Sequence, residues 1–352
     1  MNPVLVEAWR GTTVESFHRG AVAVVDGDGA LVASLGDIER PVFPRSAIKL
    51  LQALPLVESG AADRYGLSDE ELALACASHN GEPAHTRVAA SMLAKAGLDE
   101  SVLECGVHWP YHEPAARDLA AAGAAPSALH NNCSGKHAGF VCLGCLLAEG
   151  QDRRSFLAGY VRPEHPVMRE VGAALQAATG CDVSRAPQGT DGCSIPTYAM
   201  PLRQLALAFA RAGSGVGLSP GRTAAAARLR KAVASAPFMV GGSASFDTEV
   251  MQALGERVFC KVGAEGMYCA ALPELGLGMA IKIDDGNTSR ACEVAMAALI
   301  EAWLPLHSEG QRSWLAGLSK RPLLNRRGLE VGRLAAHDAL RRLAAGENRA
   351  AA

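Results

Sequence analysis

Residues 45–49, Arg45-Ser46-Ala47-Ile48-Lys49, set a serine and a lysine three positions apart where a helical run through Leu50, Leu51, Leu54 and Val57 begins. Residues i and i+3 share one helix face, so both side chains can address the same small volume. A serine hydroxyl is a weak nucleophile until a base takes its proton. A lysine serves if burial or neighbouring cations keep its amine neutral. The competing reading is a serine N-cap followed by a solvated lysine, and an isolated Ser-x-x-Lys does not decide between them.

Two later segments weigh on that choice. Ser78-His79-Asn80 ends an apolar helical run, and Lys261-Val262-Gly263 ends a strand-like run that starts near Arg257. Penicillin-binding proteins and serine β-lactamases use this order, Ser-x-x-Lys, Ser-x-Asn, Lys-x-Gly, around one acyl-transfer site. Ser78 and Asn80 also suit a helix end, and Lys261 suits an edge strand that resists aggregation. Val262 stands where those enzymes carry Thr or Ser, and Ser46 and Ser78 are closer together than is usual there.

A chain of 352 residues allows one large domain or two smaller ones, and 49% hydrophobic content supplies a substantial core. A net charge of −2 gives no reason to expect nucleic-acid or anionic-membrane partners. The start, Met1-Asn2-Pro3-Val4-Leu5-Val6-Glu7, lacks a basic region leading into an apolar core. No apolar run is long enough for a bilayer, so the expectation is a cytoplasmic protein. The ten scattered cysteines then read as reduced, small core residues.

Residue pattern predicts strands over 3–9, 17–25, 30–34, 257–262, 266–272 and 277–284, with hairpin turns at Glu265-Gly266 and Leu275-Gly276. Helices fit 46–58, 69–77, 82–96, 113–122, 136–148, 166–178, 196–212, 220–235 and 287–304, and residues 328–333 suit an edge strand. The expected class is α+β: one antiparallel sheet from N- and C-terminal strands with a helical region between. A single catalytic domain would span 1–345, its sheet part about 1–45 and 255–345 and its helical part about 46–254, with a disordered tail at 346–352.

Asn131-Asn132-Cys133-Ser134-Gly135-Lys136-His137 and Asp191-Gly192-Cys193-Ser194-Ile195-Pro196 each read as a polar loop at a helix start. Helix N-termini lower thiol pKa values, so the two cysteines suit a soft metal, zinc above all. The alternative is two buried thiols packed under loops. Ser134-Gly135-Lys136 lacks the upstream glycine and the following Ser/Thr of a phosphate-binding loop.

Together with Pro44–Lys49, Ser78–Glu82, Thr190–Cys193 and Lys261–Gly266, the Asn131–His137 segment resembles the rhizobial-type L-asparaginases, the third structural class or asparaginase II family. The resemblance covers nearly the whole chain, with five motifs in family order. It implies a fold similar to serine β-lactamases and glutaminases, a homodimer, and hydrolysis of L-asparagine to L-aspartate and ammonia. It implies two catalytic pairs, Ser46 with Lys49 and Ser78 with Lys261, and a Zn2+ ion held by Cys133, Lys136 and Cys193. The substrate would be met by Arg45, His79, Asn80, Glu82, His137, Asp191 and Gly263. Of these, Arg45 and His137 suit its α-carboxylate, and Asp191 or Glu82 its α-ammonium. Val262 stands where this family is expected to carry threonine. A glutaminase or a penicillin-interacting serine hydrolase would share the Ser-x-x-Lys core.

Overall fold

Strands gather from both ends of the chain, as alternating apolar runs at both ends require. The structure is a computed structural model that describes residues 1–344; the tail expected at 346–352 lies outside the described residues. The strands of the main sheet are β1 (Val4–Arg10), β2 (Thr13–Asp26), β3 (Leu31–Leu35), β4 (Phe259–Val262), β5 (Met267–Leu272), β6 (Leu277–Ile283), β7 (Lys320–Leu324) and β8 (Glu330–Ala336). The longer helices are α1 (Lys49–Glu58), α2 (Asp69–Ala75), α3 (Pro83–Lys95), α4 (Glu113–Ala121), α5 (Ser134–Leu147), α6 (Pro166–Thr179), α7 (Leu202–Ser214), α8 (Pro220–Ser235), α9 (Phe246–Leu254), α10 (Glu293–Trp303) and α11 (Glu309–Ser319). The α+β class with a sheet from both termini is therefore as expected. The chain divides into two compact units, one of Met1–Ala47, Met200–Val216 and the described residues from Cys260 onward, the other of Ile48–Ala199 and Gly217–Phe259.

In the first unit the strand order is β7-β8-β1-β2-β6-β5-β4, with β3 also paired to β2. β2 is long enough to serve two neighbours in turn. Thr13–Arg19 pairs with β1, and Gly20–Asp26 pairs with β6. Every residue of β5 is buried, so both faces of the sheet are covered there. Helix α7 supplies one cover because small residues let it approach closely. A Cβ on Gly278 of β6 would lie 2.0 Å from the Ala206 carbonyl oxygen and 2.2 Å from the Ala210 nitrogen. This contact is why α7, expected within the helical region, belongs with the sheet. Glu265 and Gly266 hold φ values of 57° and 69°, and Gly276 holds 65°, which are the left-handed conformations expected of the two hairpin turns.

Three sequence expectations need correction. Residues 196–212 do not form one helix: Pro196–Tyr198 and Met200–Pro201 are extended, and α7 starts only at Leu202. Proline disfavours helical geometry in the residue before it, and Pro196 and Pro201 together delay the helix. For the same reason Asp191–Pro196 is no helix start. It is the turn of a hairpin pairing Gln188–Thr190 with Pro196–Tyr198. Third, the strand expected at the edge, β8, is interior, because β7 pairs along its outer side.

In the second unit α1 is buried on all sides, from Lys49 to Leu56, and packs on α5, α6 and α8. A helix apolar all round belongs in a core. Ser68 and Glu71 close a reciprocal capping box on α2. Helix α5 meets α2 so closely that a Cβ on Gly135 would lie 2.4 Å from Leu74 Cγ. All ten cysteines but Cys181 are buried. Among the described residues no helix is long and apolar enough to cross a membrane.

The α7–sheet contact makes a direct prediction. Gly278→Ala should lower the unfolding free energy by about 1–3 kcal/mol through overpacking, read as a lower thermal midpoint. An unchanged midpoint would mean that α7 does not seat on β6 through this glycine.

Candidate active site

Lys49 opens α1 with its side chain inside the protein, and an amine without water must find acceptors. Its Nζ donates to the Ala77 carbonyl, to Ser78 Oγ at 2.9 Å and to the Asn132 carbonyl at 3.4 Å. One side chain thus joins three segments singled out in the sequence. Ser78 is held in turn by its N–H, which donates to the Val240 carbonyl at 2.9 Å.

The His79–Glu82 loop is anchored residue by residue. His79 Nδ1 accepts from the Gly81 N–H at 3.1 Å, and its Nε2 meets Ser134 Oγ at 2.9 Å. Asn80 Nδ2 donates to the Ser243 carbonyl at 3.1 Å. The Glu82 carboxylate accepts from the Ser243 N–H at 2.7 Å and the Ser243 hydroxyl at 2.9 Å, and lies 3.7 Å from His112 Nδ1. His85 stacks between His79 and Phe238, with both centroid separations 4.9 Å. His79, Asn80 and Glu82, expected at the substrate, all spend polar atoms on this loop.

Cys133 caps α5, and Cys193 sits in the 191–195 turn, followed by Ser194 at φ 76°. Lys136 Nζ donates to Cys193 Sγ at 3.0 Å, and Asp191 Oδ2 lies 3.9 Å from the same sulfur. The Cys133 thiol is held well below its ordinary range by its hydrogen bond to Cys193, with Lys136 and Lys49 adding positive charge against the burial that opposes ionisation. The Cys193 thiol is pushed up by the same hydrogen bond and by burial. Burial works against the Lys136 ammonium, yet Cys133, Cys193 and Asp191 raise it overall. In direction, Cys133 is the thiol that ionises more readily, Cys193 is held back, and Lys136 keeps its proton more firmly. Among the described residues no three His, Cys, Asp or Glu side chains gather as a metal cluster. Two sulfurs and one amine do converge, a donor set chemically suited to a soft cation such as zinc.

His137 lies apart from those donors in its bonding, with Nδ1 2.7 Å from Tyr160 Oη. Burial first, then Lys136 and Lys49, holds it well below the usual imidazole range, so the ring is neutral.

Ser46, Arg45, Lys261 and Gly263 belong to the first unit. Arg45 holds φ 51°, a strained value for a residue with a side chain, immediately before Ser46 in the 3₁₀ turn Arg45–Ile48. A Cβ on Gly263 would lie 2.8 Å from the Pro44 carbonyl oxygen. The backbone of the Lys-x-Gly segment thus adjoins that of the Ser46 turn. Lys261 is buried, and its Nζ donates to the Val262 carbonyl at 3.1 Å. Sequence reasoning missed Ala77, Ser243, Tyr160 and His108, whose Nε2 accepts from the Asn132 N–H at 2.9 Å. Their roles rest on backbone groups or buried partners that leave no spacing signal.

The sequence model of the amidohydrolase family L-asparaginase II matches residues 6–336, nearly the whole chain. The chain belongs to the L-asparaginase II family, and the enzyme class this implies is L-asparaginase. A search of curated protein sequences gives no significant match. Among solved structures, a β-lactamase from Mycobacterium bovis is similar over 80% of this chain and 93% of its own, at 13% identity and a TM-score of 0.38.

The His79–His85 stack carries a pH signature. Burial lowers both rings below the usual imidazole range, His79 far below it. The unfolded chain therefore takes up protons first as pH falls through about 6.5. Stability should be level above that value and fall below it, by up to about 1.4 kcal/mol per pH unit for each ring. Urea midpoints at pH 7.5, 6 and 5 test this, and a midpoint unchanged down to pH 5 would refute it.

Proposed function

We propose that the enzyme hydrolyses L-asparagine through a seryl ester on Ser46, with Lys49 as the base. The observation that carries the reading is the side chain of Lys49, which stands three residues after Ser46 in sequence and is buried and bonded to Ser78. Ser46 Oγ attacks the side-chain amide carbon as Lys49 takes its proton. The C–N bond then breaks, and ammonia leaves with a proton relayed through Ser78, which Lys261 assists. The 2.9 Å Lys49–Ser78 hydrogen bond supports the first part of that relay. Water then cleaves the ester, releasing aspartate and restoring Ser46. The Ser46 N–H and the backbone after Lys261, at Gly263, are the donors for the oxyanion. Arg45 and His137 meet the α-carboxylate, and Asp191 the α-ammonium. Glu82 is the weaker candidate for the ammonium, since Ser243 already occupies both its oxygens.

Cys133, Lys136 and Cys193 would hold a zinc ion, whose chemistry is to fix both sulfurs as thiolates beside Lys49. To receive it, Cys193 and Lys136 each give up a proton. The reading includes a cytoplasmic homodimer that degrades asparagine, with light scattering after size exclusion as the check on the dimer.

Ammonia release from L-asparagine and L-glutamine, with Ser46→Ala alongside, tests the chemistry. Asparagine turnover should fall by about 10³-fold or more in the variant. Activity surviving in Ser46→Ala would sink the nucleophile, and preferred glutamine turnover would make the enzyme a glutaminase. Elemental analysis should find one zinc per wild-type chain and none in Cys133→Ser. Zinc added to metal-stripped protein should acidify a weakly buffered solution, and uptake without proton release would refute the thiol–ammonium state.

A further inference from the structure

Three buried histidines of the second unit differ in one respect. His79 accepts at Nδ1 from Gly81 and donates at Nε2 to Ser134 Oγ, whose own proton goes to the Leu129 carbonyl at 2.9 Å. His85 accepts at Nδ1 from the Glu82 N–H at 3.2 Å and donates at Nε2 to the Phe238 carbonyl at 3.1 Å. Both rings use both nitrogens within the protein. His137 uses one.

The hydrogen positions at His137 follow from its neighbour. Tyr160 Oη accepts from the Glu104 N–H at 3.0 Å and lies 2.7 Å from His137 Nδ1. Both side chains are fully buried, and the hydroxyl proton has no other acceptor among the described residues. Tyr160 therefore donates to Nδ1, which must carry a lone pair, and the ring proton is on Nε2. That nitrogen is buried without a hydrogen-bond partner among the described residues. A buried donor of this kind calls for an acceptor from outside the chain, a ligand or an ordered water.

We propose that Tyr160 is a positioning residue that locks His137 in its Nε2–H form, making the ring a neutral donor for the substrate's α-carboxylate. The inference rests on the asparaginase reading above for the identity of the ligand, but not for the state of the ring.

Long-range ¹H–¹⁵N spectra of histidine-labelled protein read that state directly. Wild type should show His137 Nδ1 unprotonated and Nε2 protonated, and Tyr160→Phe should give a mixture of tautomers. Kinetically, Tyr160→Phe should raise KM for asparagine about tenfold, with kcat changed much less. His137→Gln keeps a side-chain N–H near the Nε2 position without needing the tyrosine, so adding Tyr160→Phe to it should raise KM no further. A protonated Nδ1 in the wild type overturns the inference. So does a tenfold KM increase that persists in the His137→Gln background, since Tyr160 would then act on folding alone. If Tyr160→Phe fails to fold, the wild-type spectrum still decides. A protein with the expected tautomer but no asparagine turnover would refute the substrate assignment and leave the role of Tyr160 in holding the ring standing.

Discussion

A lysine amine that folding removes from water is the constraint on which the second unit turns. Lys49 heads a helix whose other residues are packed on all sides, so its Nζ cannot reach solvent. The acceptors that satisfy it come from the end of the α2 segment, at Ala77 and Ser78, and from the loop before α5, at Asn132. Those segments can meet only because Gly135 lets α5 settle against Leu74. Burial of α1, the glycine contact and the polar cluster are thus one arrangement. Loss of any of them strands a buried amine, which costs far more than one ordinary hydrogen bond returns.

Much of this was legible in the sequence, and the remainder was illegible for physical reasons. Ser46, Lys49 and Ser78 stood out because their chemistry needs those residue types, and the terminal strands stood out by their apolar runs. Spacing could not say which serine the Lys49 amine would meet, because a long flexible side chain reaches in several directions. The resemblance implies that Lys49 pairs with Ser46; within the second unit its amine bonds Ser78 and two backbone carbonyls. The 191–196 segment misled because glycine, serine and proline serve a hairpin turn as readily as a helix start. The β7–β8 hairpin, Lys320–Leu324 with Glu330–Ala336, was missed or misjudged because its half-exposed strands mix charged and apolar residues without a clean alternation.

Backbone strain follows the same map. Among the described residues, four other than glycine hold positive φ: Arg45, Ser194, Ala244 and Glu265. Arg45 precedes Ser46, Ser194 follows Cys193, and Ala244 follows the Ser243 that holds Asn80 and Glu82. Glu265 turns the chain back just after Gly263. Such conformations persist only where surrounding contacts over-determine them, and they concentrate at sites whose geometry matters. Three of the four adjoin a segment picked out on chemical grounds, and Ala244 adjoins a serine that holds two residues of such a segment.

The charge state of the cysteine cluster bears on whether Lys49 can act as a base. A thiolate close to a lysine favours its ammonium form, and an ammonium has no lone pair with which to take a serine proton. Net charge alone does not separate the metal-free and metal-bound states of the proposed cluster. A thiolate and an ammonium sum to zero, as do a dication and two thiolates. What differs is the strength of Cys133 as an acceptor. A thiolate that shares its charge with a cation favours a nearby ammonium less, while the Ala77 carbonyl and Ser78 Oγ would accept the two N–H donors that a neutral Lys49 amine retains. On this argument the metal would act on catalysis without touching the reacting atoms, by loosening the grip of Cys133 on the base.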